Sequence, residues 1–186
     1  MSLRPIVRLG HPALRSPAEP LSETRLASSE VQALIDEMFE TMAAAGGIGL
    51  AAPQLGIGLQ LFVYGLEREP GDEGESIAPR VVINPMLEPE PGELVYDWEG
   101  CLSIPGLRGL VPRHPRLRVR GSDRHGKPLD FHAEGLEARV IQHENDHLNG
   151  VVFLDRMRNL ASLGFEEELE ARLAESESPE ALRRSE

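Results

Sequence analysis

Two histidines four residues apart, with a glutamate directly after the first, are the most informative residues for chemistry in this sequence. They lie in His143-Glu144-Asn145-Asp146-His147, which fits the pattern H-E-x-x-H. On an α-helix, residues i and i+4 share a face, so both imidazoles can bind one metal ion. The glutamate can then move protons for a water on that ion. The pattern therefore predicts metal-assisted attack of water on a carbonyl group.

The pattern fixes only three positions, so chance matches are common and its surroundings decide its weight. Residues that continue the two histidines at helical spacing are Leu136 and Val140. This spacing predicts a helical stripe that faces the core and not solvent. The run ends at Asn149-Gly150, which is typical of a helix stop. Because buried imidazoles without partners are costly, these histidines need hydrogen bonds or a metal.

A catalytic metal site normally has three protein ligands and one position for water, so a third ligand must come from elsewhere. The candidates are an acid, Cys101, or another histidine: His11, His114, His125 or His132. Cys101 is favoured because Gly100 before it allows close approach. A thiolate beside a divalent ion is also deprotonated outright. Without a metal, a lone cysteine is most simply a small buried hydrophobe.

The overall composition is that of an acidic globular protein. A length of 186 residues suits one domain, and the net charge of −12 argues against a general nucleic-acid binder. No apolar run approaches the ~20 residues that span a bilayer. Residues 1–5 lack the apolar core of a signal peptide, and the single cysteine fits a reducing cytosol. We expect a cytoplasmic protein that binds neither DNA nor membranes.

Helices are predicted near both ends of the chain and short strands in the middle, a pattern that favours an α+β fold. Residues 1–27 are expected to form an extended arm. An amphipathic helix is expected to follow, with Ser29 as its N-cap and Gln32 in the capping-box position, and to stop at Gly46-Gly47. Further helices are expected at about 134–149 and 158–174, and a surface loop at 67–79. Strands are predicted at 59–64, 81–84, 93–98, 116–120 and 128–132. No repeat or linker divides the chain, so we expect one domain over 1–174 and a polar tail at 175–186.

Three segments together resemble the signature motifs of peptide deformylases. In chain order they are residues 47–54 (GIGLAAPQ), 99–103 (EGCLS) and 142–147 (QHENDH), within a similarity that runs over about residues 6–156. The resemblance implies a hydrolase that removes the formyl group from the N-terminal formyl-methionine of newly made polypeptides. It also implies an α+β fold with antiparallel sheets packed around a central metal-binding helix.

The resemblance further implies how the metal is held and used. One divalent ion per chain, natively Fe(II), would be bound by Cys101, His143 and His147. Zinc or nickel can take its place in purified protein, since thiolate and imidazole ligands suit these ions as well. Water activated by the metal would attack the formyl carbon, with Glu144 acting first as general base and then as general acid.

For the rest of the site the resemblance implies donors to the developing oxyanion and a binding surface for the peptide. The donors are the side-chain amide of Gln54 and the backbone N–H of Leu102. The peptide is expected to add as a strand near Gly49 and to meet an arginine that steadies its carbonyls. The expected substrate-binding residues are Ile48, Gly49, Glu99, Gly100, Arg108, Leu136 and Arg139. Asp146 is expected to pair with an arginine, with Arg113 as the candidate, and so to hold the metal helix.

Two features depart from the family pattern. Asn145 replaces a usually apolar residue, and a buried asparagine needs hydrogen-bond partners. From residue 157 onward, eight Glu stand against four Arg, whereas in some relatives a basic C-terminal helix docks on ribosomal RNA. Phosphate would repel this acidic segment, so docking by that route is not expected. The expected partners are N-formylmethionyl nascent peptides, and the ribosome stays open as a further partner.

Two alternatives remain beside the deformylase interpretation. An endopeptidase with the same H-E-x-x-H pattern would use a histidine or glutamate as third ligand and would not need Cys101. A non-catalytic, deformylase-like peptide-binding protein would need no general base, so the presence of Glu144, Gln54 and Cys101 argues against it.

Overall fold

The described residues form two antiparallel sheets and four α-helices. The computed structural model describes residues 3–68, 74 and 76–175, with side chains described as far as residue 171. The strands are β1 (Gly49–Ala51), β2 (Leu61–Leu66), β3 (Ile77–Pro89), β4 (Val95–Cys101), β5 (Ile104–Arg113), β6 (Arg116–Ser122), β7 (Pro128–Glu134) and β8 (Gly164–Phe165). The helices are α1 (Glu23–Leu26), α2 (Ser29–Ala44), α3 (Gly135–Leu148) and α4 (Glu166–Glu175). None of the helices in this part of the chain is long and apolar enough to cross a membrane.

The sheets hold α3 between them. The five-stranded sheet has the order β1-β2-β3-β6-β7 and the three-stranded sheet the order β4-β5-β8. Helix α3 contacts all five strands of the larger sheet through buried residues such as Val140, Ile141 and Leu148. This arrangement confirms the expected α+β fold with antiparallel sheets around a central helix.

Helix α3 has the bounds that its sequence pattern predicted. It ends at Leu148, and Gly150 then turns the chain with a φ of 71°. Asn145 on this helix is half-buried, and its backbone carbonyl oxygen accepts a hydrogen bond from Nδ2 of Asn149. One expectation is wrong: Leu136 is 40% exposed and does not continue the buried stripe. It lies in the first turn of α3, where the helix emerges from the core.

Helix α2 covers the other face of the larger sheet, and its cap differs from the prediction. The capping residue is Ser28, whose Oγ accepts the N–H of Val31, and not Ser29. The predicted capping box is also wrong, because the side-chain amide of Gln32 donates to the carbonyls of Leu26 and Arg124. The helix ends before Gly46, which has a φ of 65° and so supports the predicted stop.

Both ends of the described chain differ from their predicted structure. The arm expected at 1–27 contains a 3-10 turn at Pro12–Arg15 and the short helix α1. The helix expected at 158–174 is wrong in its first half, because residues 164 and 165 pair with β5 as strand β8. The expected loop at 67–79 falls partly outside the described residues, and its last part is the start of β3 at Ile77. Most of the expected tail at 175–186 also lies outside them.

Strand β4, which carries Cys101, and the strands near it were only partly predicted. Strand β5 was not predicted, because Pro105, Gly106, Gly109 and Pro112 within it are typical of turns. Strand β1, with glycine at its first position, was not predicted either. Strand β4 pairs with β5, and the register shifts between Gly100 and Cys101. This irregularity places Cys101 at the end of the hairpin, beside the turn at Leu102.

Candidate metal centre

Cys101, His143 and His147 converge on one point between the two sheets. One ligand atom from each lies within 4.8 Å of the others. The Sγ of Cys101 is 3.3 Å from Nε2 of His147, and the two imidazole centroids are 5.0 Å apart. The histidines share one face of α3, and the cysteine comes from the end of β4. The structure thus brings together the three residues that were expected to bind the metal.

The chemistry of this donor set fits a divalent transition metal. A thiolate with two imidazoles suits iron or zinc, and three protein ligands leave a further position for water or substrate. The Nδ1 of His143 lies 2.9 Å from Oε2 of Glu99. Because a carboxylate accepts, Nδ1 donates, which leaves Nε2 of His143 free to bind a metal. His147 is fully buried, and its Nδ1 has no hydrogen-bond partner among the described residues.

Glu99 is the centre of a buried network that orients His143. Its carboxylate accepts hydrogen bonds from Nε and Nη2 of Arg113 at 2.8 and 2.9 Å, and from Nη1 of Arg139 at 2.8 Å. Burial opposes the ionisation of Glu99, but the hydrogen bonds from Arg113 and His143 hold the pKa of its carboxyl well below the usual range. Burial opposes the charge of Arg113, but its hydrogen bonds and charge interactions with Glu99 and Asp146 together raise its pKa. Glu99 is therefore charged and fully occupied.

Arg113 extends this network to the end of α3. Its Nη1 lies 2.6 Å from Oδ2 of Asp146, and both side chains are buried. This confirms the predicted pair between Asp146 and Arg113. Arg156 adds a second contact, 2.6 Å from Oδ1 of Asp146. Arg113 therefore ties β5 to both β4 and the metal-binding helix.

Glu144 presents its carboxylate to the cavity beside the metal-ligand candidates. It is 4% exposed, and its Oε2 has no hydrogen-bond partner among the described residues. Burial raises the pKa of Glu144 to about 7. The side chain rests against Gly49, where a β-carbon would lie 2.7 Å from Cδ of Glu144. Only glycine at position 49 leaves room for this carboxylate.

We expect Gly49→Ala to lower kcat by about 10²-fold, because displacement of a reacting group by ~1 Å can have an effect of that size. The methyl group would push the Glu144 carboxylate away and leave the three metal-ligand candidates in place. Steady-state kinetics and metal analysis would measure the two effects separately. Gly58→Ala is the matched control, since a β-carbon there meets nothing within 4 Å. Loss of metal with Gly49→Ala, or equal kinetics in both variants, would contradict this prediction.

The side-chain amide of Gln54 has its orientation set by its neighbours. Its Oε1 accepts the N–H of Ala51 at 2.8 Å, so its Nε2 is the end that faces the cluster. This Nε2 lies 3.5 Å from Sγ of Cys101 and 3.4 Å from Oγ of Ser103. Leu102 lies in the turn directly after Cys101. One expected oxyanion donor therefore contacts this sulfur, and the other belongs to the next residue in the chain.

One cavity of about 480 Å³ contains nearly all the residues that the sequence proposed for the site. They are Ile48, Gly49, Gln54, Glu99, Gly100, Cys101, Leu102, Arg108, Leu136, Arg139, His143 and Glu144. His147 is fully buried and does not line this cavity. Glu99 and Arg139 line the cavity but bind each other, and Arg139 also donates to the carbonyls of Val95 and Val111. These contacts suit a role in positioning His143 better than the substrate-binding role expected of them.

Trp98 and Glu166 are among the cavity residues that sequence reasoning missed. The indole Nε1 of Trp98 is buried and has no hydrogen-bond partner among the described residues. An aromatic residue directly before Glu99 was a signal that could have identified it. Glu166 reaches the cavity from α4 and pairs with Arg108. No local sequence pattern indicates that Glu166 lines the cavity, because the pairing of β8 with β5 brings it there.

Comparison with known sequences agrees with this geometry. The sequence model of the polypeptide deformylase family matches residues 3–162. A protein named peptide deformylase 2 from Pseudomonas putida is 45% identical over 168 residues, which cover 90% of this chain and 94% of the relative. A second peptide deformylase 2, from Bordetella bronchiseptica, is 48% identical over 165 residues, covering 88% and 93%.

Solved structures give the same result for the fold. A peptide deformylase from Synechococcus elongatus in complex with actinonin has a TM-score of 0.75 and 41% identity, covering 96% of this chain and 88% of that one. A class I type b peptide deformylase from Acinetobacter baumannii with Met-Ala-Ser bound has a TM-score of 0.79 and 32% identity, covering 84% and 99%. Since the family match spans most of the sequence and these relatives are similar over nearly their whole length, this chain belongs to the polypeptide deformylase family.

Proposed function

We propose that this chain hydrolyses the formyl group from N-formylmethionyl nascent peptides, with Cys101, His143 and His147 as metal ligands. As a member of the polypeptide deformylase family, it is a metal-dependent hydrolase. The observation that carries the proposal is the convergence of these three donors within 4.8 Å of one another beside the carboxylate of Glu144. We further propose Fe(II) as the native metal, which the thiolate and imidazole donors suit.

The reaction that we propose adds water to the formyl carbon and breaks the bond to the methionine nitrogen, giving formate and a free amine. A bound divalent ion would supply Lewis-acid activation of the water and of the formyl oxygen. Glu144 takes a proton from the water and delivers it to the departing nitrogen. This role is supported by the burial of its carboxylate, whose Oε2 has no hydrogen-bond partner within the described part of the chain.

Two donors are proposed to stabilise the charge that develops on the formyl oxygen. The Nε2 of Gln54 faces the cluster because Ala51 holds the other end of the amide. The backbone N–H of Leu102 follows the sulfur ligand in the turn. Donors that are already in place cost no reorganisation during the reaction, which is why such groups contribute strongly to rate.

The peptide is proposed to bind along β1 as an added strand. Strand β1 is the end strand of the larger sheet, and Ile48 and Gly49 line the cavity at that edge. Main-chain hydrogen bonds to such an edge bind peptides with little dependence on their sequence. The exposed side chain of Leu136, at 40% exposure, offers an apolar contact within the same cavity. We propose that it contacts the methionine side chain.

The decisive test is formate release from formyl-Met-Ala-Ser by protein that is prepared with Fe(II) in the absence of oxygen. The proposal expects stoichiometric formate and free Met-Ala-Ser. An endopeptidase would instead cleave internal bonds of unformylated peptides. A binding protein without catalysis would retain the formyl peptide and release no formate. Either result would refute the proposed activity.

We expect Cys101→Ser to remove both metal and activity. A neutral hydroxyl is a much weaker ligand than a thiolate, so metal affinity should fall by more than the ~10–100-fold that loss of an outer partner causes. Metal content per chain after gel filtration, together with formate release, would measure this. Full metal and full activity in this variant would favour the endopeptidase alternative, in which Cys101 is dispensable.

We also propose that residues 1–174 form a single domain, that 175–186 are a polar tail, and that the protein works in the cytoplasm. Free nascent peptides and a thiolate ligand both suit a reducing compartment. A ribosomal partner is not proposed through α4, because its first turn carries Glu166, Glu167 and Glu168, which phosphate would repel.

A further inference from the structure

An ion pair lies at the rim of the cavity, with one partner from each of two distant parts of the chain. The Nη2 atom of Arg108 is 2.5 Å from Oε1 of Glu166, and the two side chains are 48% and 39% exposed. Both residues line the cavity that holds the metal-ligand candidates. The stem of Arg108 passes over Gly100, where a β-carbon would lie 3.4 Å from its Cγ. The pair is therefore close to Cys101 but open to solvent.

The segment that carries Glu166 is built onto the cavity wall. Gly164 and Phe165 pair with Arg108 and Leu107 in the three-stranded sheet. Ser162 is buried, and its Oγ accepts the N–H of Leu110 at 3.2 Å. These contacts set the backbone position from which Glu166 reaches the rim. Leu169, which is 5% exposed, anchors the helix that follows.

The charges deeper in the cavity are already committed to other contacts. The ionisable residues in the lining are Glu99, Cys101, Arg108, Arg139, His143, Glu144 and Glu166. Glu99 binds both Arg139 and His143, Cys101 is a metal-ligand candidate, and Glu144 lies against Gly49. Of this set, only Arg108 and Glu166 are both solvent-exposed and paired with nothing except each other in that network. They are the charges that a side chain of a bound peptide can meet.

We infer that Arg108 and Glu166 read the charge of the substrate residues that follow the formyl-methionine, with Glu166 as the specificity-determining residue for basic side chains. This inference rests on the proposed function. The formyl end of the peptide must reach the buried metal-ligand cluster, so the rest of the peptide leaves across the rim. A lysine in that part replaces Arg108 as the partner of Glu166, and a glutamate replaces Glu166 as the partner of Arg108.

The physical size of the effect follows from the exposure of the pair. Exposed ion pairs contribute little to stability, so this pair has little importance for folding. For the same reason, a charged side chain of the peptide can replace one partner of the pair at a small cost in free energy. The charge preference should amount to about two- to fivefold for each partner. It should weaken in high salt, because solvent-exposed charges are screened.

The experiment compares four amidated peptides: formyl-Met-Lys-Ala, formyl-Met-Glu-Ala, formyl-Met-Ala-Lys and formyl-Met-Ala-Glu. The measured quantity is the ratio of kcat/KM for the lysine peptide to that for the matching glutamate peptide, in the metal-loaded enzyme. Glu166→Gln should lower this ratio by about two- to fivefold, and Arg108→Gln should raise it by a similar factor. Glu167→Gln is the matched control, since Glu167 is exposed on the same turn and does not line the cavity.

Opposite shifts in the two variants, at one or both peptide positions and smaller in high salt, would support the inference. Shifts in the same direction, no shift at either position, or an equal shift in Glu167→Gln would overturn it. If the wild type released no formate from any peptide, the proposed function would fail instead. The charge preference would then be measured as Kd for Met-Ala-Lys and Met-Ala-Glu amides by calorimetry, with the same opposite shifts expected.

Discussion

Glu144→Gln is expected to lower kcat for deformylation by about 10²–10⁴-fold, the usual contribution of a positioned general acid and base. Glutamine has nearly the same volume, so the packing against Gly49 should persist. Its amide cannot take a proton from water and return it to the methionine nitrogen. Metal content should stay the same, because Glu144 is not among the three converging donors. Formate release and metal analysis on one preparation would measure both.

Glu137→Gln is the matched control for this prediction. Glu137 lies on the same helix, where Oε1 accepts a hydrogen bond from the hydroxyl of Tyr64 at 2.9 Å, and it does not line the cavity. Its replacement makes the same chemical change away from the site, so kcat should be retained. If Glu144→Gln kept more than a tenth of the wild-type rate with its metal bound, Glu144 would not be the proton carrier.

Glu99→Ala is expected to lower both stability and metal affinity. Loss of one partner of a buried ion pair typically costs about 3–5 kcal/mol, because the remaining charge stays buried without compensation. Here Arg113 and Arg139 would both lose their contacts to the carboxylate. His143 would lose the acceptor for its Nδ1, and loss of such an outer partner typically lowers metal affinity about 10–100-fold. Urea unfolding and competitive chelation would measure the two effects.

Glu90→Ala provides the control, since Glu90 has the same kinds of partner at the surface. It contacts Nε of Arg116 at 3.2 Å and Nδ1 of His132 at 2.8 Å, with both partners exposed. Its removal should leave the unfolding midpoint and the metal affinity unchanged. Equal effects of the two substitutions would show that burial of Glu99 is not what makes its network important.

Local spacing was enough to predict the helical part of the site. His143 and His147 share a face of α3 because i and i+4 always do, and Asn149-Gly150 ended the helix as predicted. The approach of Cys101 to these histidines involves residues far apart in the chain. Its setting after Gly100 favoured it as the third ligand, and the resemblance to a family then implied the full set. The contact of Asp146 with Arg113 was expected and is present.

Features that depend on pairing between distant strands were not predicted. Strand β5 contains prolines and glycines that suggest turns, and it becomes a strand because β4 and β8 flank it. Glu166 reaches the cavity only through that pairing. The exposure of Leu136 was also missed, since helical periodicity tells which face a residue shares but not where the covering sheet ends.

The three donors come from two separate layers of the molecule. Metal binding should therefore stabilise the packing of one layer against the other. Cys101 belongs to the three-stranded sheet, whereas the histidines belong to the helix that packs on the five-stranded sheet. An ion held by all three would act as a cross-link between these layers. It would add to the ion pairs that Arg113 makes with Glu99 and Asp146. Demetallated protein should therefore exchange amide hydrogens first in the smaller sheet, which would open as its own cooperative unit while the larger sheet stays protected.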